Sequence, residues 1–141
     1  MGLGITGKSA LVFDAGGRLG GAIAQALAAE GARVLVTDID AAAITGAGGQ
    51  AVALQWNIGD LSVLVARLDF VTQTFGGMDI LANNTGGSPL TPVQGTWSRH
   101  FDSMVRSVIS VTNAVLPGMK ARGWGRIITT TSSGVVAPIA N

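Results

Sequence analysis

At 141 residues with a net charge of +1 and no cysteine, the chain is one domain's worth of polypeptide, without the basic surplus of a nucleic-acid binder or the thiols of a disulfide framework. Only 12% of residues are charged, against roughly 25% in an ordinary soluble domain, and mean hydropathy is +0.47. Helix faces buried on both sides of a sheet, and a covering partner, are therefore expected. No apolar run approaches the ~18 residues of a membrane span, and MGLGITGKSALV lacks the pattern of a secretion signal; the expectation is a cytoplasmic protein without membrane, metal or nucleic acid.

The run ALVFDA reads as a first strand, GGRLGG as a glycine turn, AIAQALAAEGA as a helix and RVLVTD as a second strand ending at Asp38. DAAAITGAGG predicts a short alanine-rich helix, and Ala51–Trp56 a third strand. Asp60 is placed to N-cap a helix that turns Leu61, Leu64, Val65, Leu68, Val71 and Phe75 inward at a 3.6-residue period, with Gly76-Gly77 ending it. Met78–Ala82 is the fourth strand, followed by the polar loop NNTGGSPLTP. From Trp97 a long helix carries Phe101, Met104, Val105, Val108, Val111, Val115 and Met119 inward, with a kink or early stop expected at Pro117. Gly125–Thr131 is the fifth strand, and SSGVVAPIAN trails off.

Strands alternating with helices predict an α/β fold with a doubly wound parallel sheet of order 3-2-1-4-5 and right-handed crossovers, residues 1–141 forming one dinucleotide-binding domain. The polar, glycine-rich segments DAGGRLG, NNTGG and TSSG then converge on the carboxyl rim of the sheet, where such folds bind ligands. Strand, glycine turn, helix and strand, with Asp38 eighteen residues after Gly20, is the layout of a dinucleotide-binding unit. Glycines let the backbone approach a pyrophosphate, the helix N-terminus offers N–H groups to it, and the acid accepts from ribose hydroxyls. Gly16, Gly17, Arg18, Leu19 and Gly20 are thus candidates for the pyrophosphate and Asp38 for the ribose.

The blocks GKSALV, GGRLGGAIAQALAAEGARVLVTDID, FGGMDILANNTGG, WSRHFD, AVLPGM and GRIITTTSS follow one another along nearly the whole chain. In this order the sequence resembles the short-chain dehydrogenase/reductase family, in a divergent branch like the 3-oxoacyl-carrier-protein reductases. The resemblance implies a Rossmann-like fold, NAD or NADP as cofactor, a small carbonyl or alcohol substrate, hydride transfer and a homo-oligomer. It carries the family's NNAG signature onto Asn83, Asn84, Thr85 and Gly86 as the floor of the cofactor site. It also assigns Asn57 to the adenine side and Ser132 to the catalytic serine.

Departures from the family pattern are specific. Its T-G-x-x-x-G-x-G loop reads here with Phe13 for Thr, Asp14 for the first Gly and Arg18 for the second, and keeps Gly20. Asp14 sets a carboxylate near phosphates, Arg18 suits phosphate, and Asp38 repels a 2′-phosphate, so NAD is preferred over NADP. The family's catalytic Asn position falls on Met104, and the chain contains no tyrosine for the general acid, the sequence ending before its expected place. His100 reads as a solvated helix-face residue, Asp79 as a cap or loop hydrogen-bonding group, and Trp97 and Trp124 as packing residues. A catalytically silent dinucleotide-binding or oligomerisation module is the alternative reading.

Overall fold

A computed structural model describes residues 2–38, 51–86 and 97–132. Five strands form one sheet: β1 (Ser9–Val12), β2 (Arg33–Asp38), β3 (Ala51–Gln55), β4 (Ile80–Asn83) and β5 (Arg126–Thr129). The helices are α1 (Arg18–Ala29), α2 (Leu64–Phe75), α3 (Trp97–Phe101) and α4 (Ser107–Ala121). Every pairing is parallel and the strand order is β3-β2-β1-β4-β5, as expected from the sequence. Register sets Ala10 beside both Val34 and Ile80, and Ile80 beside Arg126.

Side-chain alternation divides the core in two. Ala10, Val12, Val34, Val36, Ile80 and Ala82 pack with Ala24, Ile23 and Leu27 of α1 on one face. Leu11, Phe13, Leu35 and Leu81 pack with Val71 of α2 and with Val111, Val115 and Met119 of α4 on the other. Successive strand residues point to opposite faces. An unbroken apolar run such as Ala10 to Phe13 is therefore what a sheet covered on both sides requires.

The Asp60 cap is present. Its Oδ1 accepts from the Ser62 amide at 3.1 Å and from the Ser62 hydroxyl at 2.6 Å, opening a 3-10 turn (Leu61–Val63) that runs into α2. Gly76, at φ 77, closes α2 in the left-handed conformation that glycine adopts without a steric penalty. Leu64, Leu68 and Phe75 flank the core around Val71, and Leu61 is half-buried. Val65, expected inward, is 71% exposed, because it stands about 100° around the helix axis from Leu64.

The helix beginning at Trp97 differs most from expectation. It is interrupted by a π turn at Asp102–Arg106, in which the Ser107 amide reaches back five residues to the Asp102 carbonyl. The wider turn shifts the 3.6-residue register. Phe101, Met104 and Val105 therefore face outward, while Val111, Val115 and Met119 face the core. Trp97, expected to pack, is 65% exposed. No stop occurs at Pro117. The helix continues to Ala121, held by Val115 and Met119 in the core on either side of the proline. The expected helix after Asp38, much of the loop after Gly86 and the residues after Ser132 lie outside the described residues. Among those described, no helix is long and apolar enough to cross a membrane.

Candidate functional site

The carboxyl ends of β1, β2, β4 and β5 are tied by hydrogen bonds from one strand tip to the next. The Ala15 amide donates to the Thr37 carbonyl at 2.9 Å, and the Gly16 amide to Asp38 Oδ2 at 2.9 Å. Asn84 Nδ2 donates to Asp14 Oδ2 at 3.3 Å, and Asn84 Oδ1 accepts from the Thr130 hydroxyl at 2.9 Å. Asn84 thus links the turn after β1 to the end of β5. This is the expected rim.

A cavity of about 180 Å³ opens beneath this row, lined among others by Asp14, Asp38, Trp56, Asn57, Asn84 and Thr85. A larger opening of about 500 Å³ lies beside Leu116, Trp124 and Ile127. It sits at the amino end of β5, away from the rim where parallel sheets present ligand-binding loops. The smaller cavity is the one with convergent polar groups.

Each candidate residue has a definite place. Gly17 is the N-cap of α1, which carries no side-chain cap, so Arg18, Leu19 and Gly20 form an open first turn. Arg18 and Leu19 are exposed, whereas Gly20 is buried against the β1 turn. Asp38 is 6% exposed, with its carboxylate turned to the Gly16 amide. Asn57 closes a local turn by accepting from the Gly59 amide at 3.0 Å. Asn83 is buried; its amide nitrogen donates to Thr112 at 3.3 Å, and its Oδ1 has no partner among the described residues. Thr85 is half-buried on the cavity and Gly86 is exposed at φ 69. Ser132 is exposed, three residues past the end of β5.

Asp14 is the only non-glycine with positive φ among the described residues, at 52°. Burial, and then the Asp38 charge, push its carboxyl above the ordinary carboxylate range, the Asn84 hydrogen bond pulling the other way. Sequence reasoning marked Asp14 only as a departure and missed Trp56, Ser103 and Thr130. Trp56 packs edge-on to Phe13 at 4.9 Å and leaves its buried Nε1 without an acceptor among the described residues. Nothing in the run of threonines marks which one bridges to Asn84, whereas a tryptophan at a strand end was a visible signal.

The remaining polar residues are structural. Asp79 accepts from the Ser9 amide at 3.1 Å and pairs with Arg122 at 3.3 Å, as the loop-bonding reading expects. Trp124 stacks between Lys8 and Arg126, with the cationic groups 4.5 and 4.8 Å from its ring centroid. His100 is half-buried on α3.

Residues 8–141 match the family model for short chain dehydrogenase. The chain belongs to the short chain dehydrogenase family. It is 35% identical over 145 residues to D-beta-hydroxybutyrate dehydrogenase of Cupriavidus necator, a match covering 94% of this chain and 56% of that protein. The solved hydroxysteroid dehydrogenase from Escherichia coli superimposes with a TM-score of 0.80 at 36% identity, over 91% of this chain and 57% of that one. L-sorbose reductase from Gluconobacter frateurii, solved with NADPH and L-sorbose, gives a TM-score of 0.88 at 29% identity, over 99% and 57%. This short chain dehydrogenase chain therefore spans little more than half the length of these relatives. Asp14 lies in the cleft and Met104 faces outward from the π turn.

Proposed function

We propose that this chain is the dinucleotide-binding portion of an oxidoreductase that moves hydride between a nicotinamide cofactor and a small carbonyl or alcohol. One observation carries the reading: the buried Asp38 carboxylate stands at the tip of β2, facing the glycine turn, on a polar cavity shared with Asn57, Asn84 and Thr85. A carboxylate in that place accepts from ribose hydroxyls. The first turn of α1, from Arg18 to Gly20, carries no side-chain cap and suits a pyrophosphate through its amides and dipole. Asn83 to Gly86 would floor the site, and Ser132 would hold the reacting oxygen. The nicotinamide supplies or accepts the hydride when bound, and the protein orients it.

NAD is the preferred cofactor in this reading, because the Asp38 charge repels a 2′-phosphate more than exposed Arg18 attracts it. A homo-oligomer in the cytoplasm completes the proposal, the exposed row Trp97, Phe101, Val105 and Ile109 supplying an apolar contact face. Calorimetric titration with NADH and, separately, NADPH tests the reading. Micromolar binding of NADH with weaker binding of NADPH is expected, and no binding of either overturns it.

A further inference from the structure

The cleft at the strand tips holds a second carboxylate, Asp14, beside the Asp38 that such a unit ordinarily carries for the ribose. Asp14 stands between the two loops that bracket it. Its Oδ2 lies 3.3 Å from Asn84 Nδ2, 3.1 Å from where a Cβ on Gly17 would sit and 3.5 Å from the same point on Gly86. A phosphate drawn onto the open first turn of α1 at Gly17 therefore meets this carboxylate at close range.

Resting on the dinucleotide reading above, we infer that Asp14 couples binding to a proton. The cleft takes the pyrophosphate with Asp14 as the neutral acid, its hydroxyl donating to a phosphate oxygen, and binding weakens as Asp14 ionises. The proton comes from solvent and returns to it on release. Because the phosphates are ionised throughout, an ionised Asp14 adds to the repulsion that they meet from Asp38.

The surroundings of Asp14 favour the neutral acid. Facing it are Asp38 from β2, Asn84 from the end of β4 and the Gly17 backbone from α1, and among the described residues the charged group acting on it is the Asp38 carboxylate. Burial is the larger effect, the Asp38 charge adds to it and the Asn84 hydrogen bond opposes both, so the Asp14 carboxyl lies above the ordinary carboxylate range before a ligand arrives. Oδ2 accepts from Asn84, whereas Oδ1 has no hydrogen-bond partner among the described residues and can carry the proton. The Trp56 Nε1 on the same cavity is a buried donor without an acceptor among the described residues, which suits a ligand rich in acceptor oxygens.

The test is calorimetric titration of the full chain with NAD⁺ from about pH 5 to 8, in two buffers of different ionisation enthalpy. NAD⁺ is the probe because, unlike NADPH, it has no phosphate monoester titrating near pH 6. The Kd is expected to rise about tenfold per pH unit on the alkaline side of the Asp14 titration, with close to one proton taken up per ligand there. Asp14→Asn keeps the shape, and Asp14→Gly suits the left-handed backbone. Both variants should flatten the profile, abolish the uptake and bind at least about tenfold tighter than the parent chain near pH 8. A flat profile in the parent, or uptake that persists in both variants, overturns the role of Asp14 while the dinucleotide site stands. No binding by any of the three at any pH overturns the dinucleotide reading and this inference with it.

Discussion

Gly20 meets the hardest steric limit in the glycine turn. A Cβ there would stand 2.2 Å from the Asp14 carbonyl oxygen, 2.7 Å from its carbonyl carbon and 2.9 Å from the Phe13 carbonyl oxygen. All three are backbone atoms, so α1 itself would have to move off the sheet. Gly20→Ala is expected to cost about 3 kcal/mol, the upper end for overpacking. Gly21→Ala, whose Cβ would meet only the Ala15 carbonyl at 3.1 Å, should come out near neutral because alanine favours a helix. Urea unfolding of the two variants checks the contrast; equal losses would mean that this contact does not limit the packing. Gly20 is also the one glycine of the family loop pattern retained at its place, and the steric limit gives a reason for its retention that holds with or without a ligand.

At the scale of elements, Asp79 latches three of them together. It sits just before β4, accepts from Ser9 in β1 and pairs with Arg122 after α4, whose guanidinium also donates to the Met78 carbonyl. Burial raises the Asp79 carboxyl, but the Ser9 hydrogen bonds and the Lys8 and Arg122 charges outweigh it, so the net direction is below the ordinary 3.8. A depressed carboxyl contributes stability that is present above the unfolded value and lost as pH falls through the folded one. Asp79→Asn should therefore cost about 1.5–3 kcal/mol at pH 7, the range of hydrogen bonds to charged groups. The difference should shrink below about pH 4, where the parent also loses its charge. Denaturant midpoints measured across that window decide it, and a pH-independent difference would assign the effect to shape rather than charge. The elements themselves were largely legible: strand runs, the Asp60 cap and the Gly76 stop all follow from side-chain chemistry. The π turn was not legible, because a one-residue slip leaves the apolar spacing of Phe101, Met104 and Val105 intact in the sequence while these residues face outward. Site residues divided the same way. Asp38 and the glycines announce themselves by spacing and Asn84 by the family resemblance, whereas Thr130 and the second role of Asp14 depend on which strand tips become neighbours.

Across the whole molecule, the low charge fraction has a visible counterpart. The outward row on α3 and α4, and Ile127 and Ile128 on the two faces of β5, leave exposed apolar surface at the β5 end of the sheet order. Unpaired strand edges and apolar rows of this kind favour association. The homo-oligomer proposed above should respond to Ile109→Asp, which places a charge on the row without touching the core residues Val111 and Val115. Light scattering is expected to show a smaller assembly for the variant, and an unchanged mass would place the contact elsewhere. The ties between the strand tips have a kinetic meaning as well. Although Ala15 and Gly16 belong to a surface turn, their amides donate to Thr37 and Asp38, so they should exchange with deuterium at rates closer to strand amides than to loop amides. A turn fixed in this way has lost its conformational entropy during folding, and a molecule docking on it meets a rigid edge rather than a segment still to be ordered.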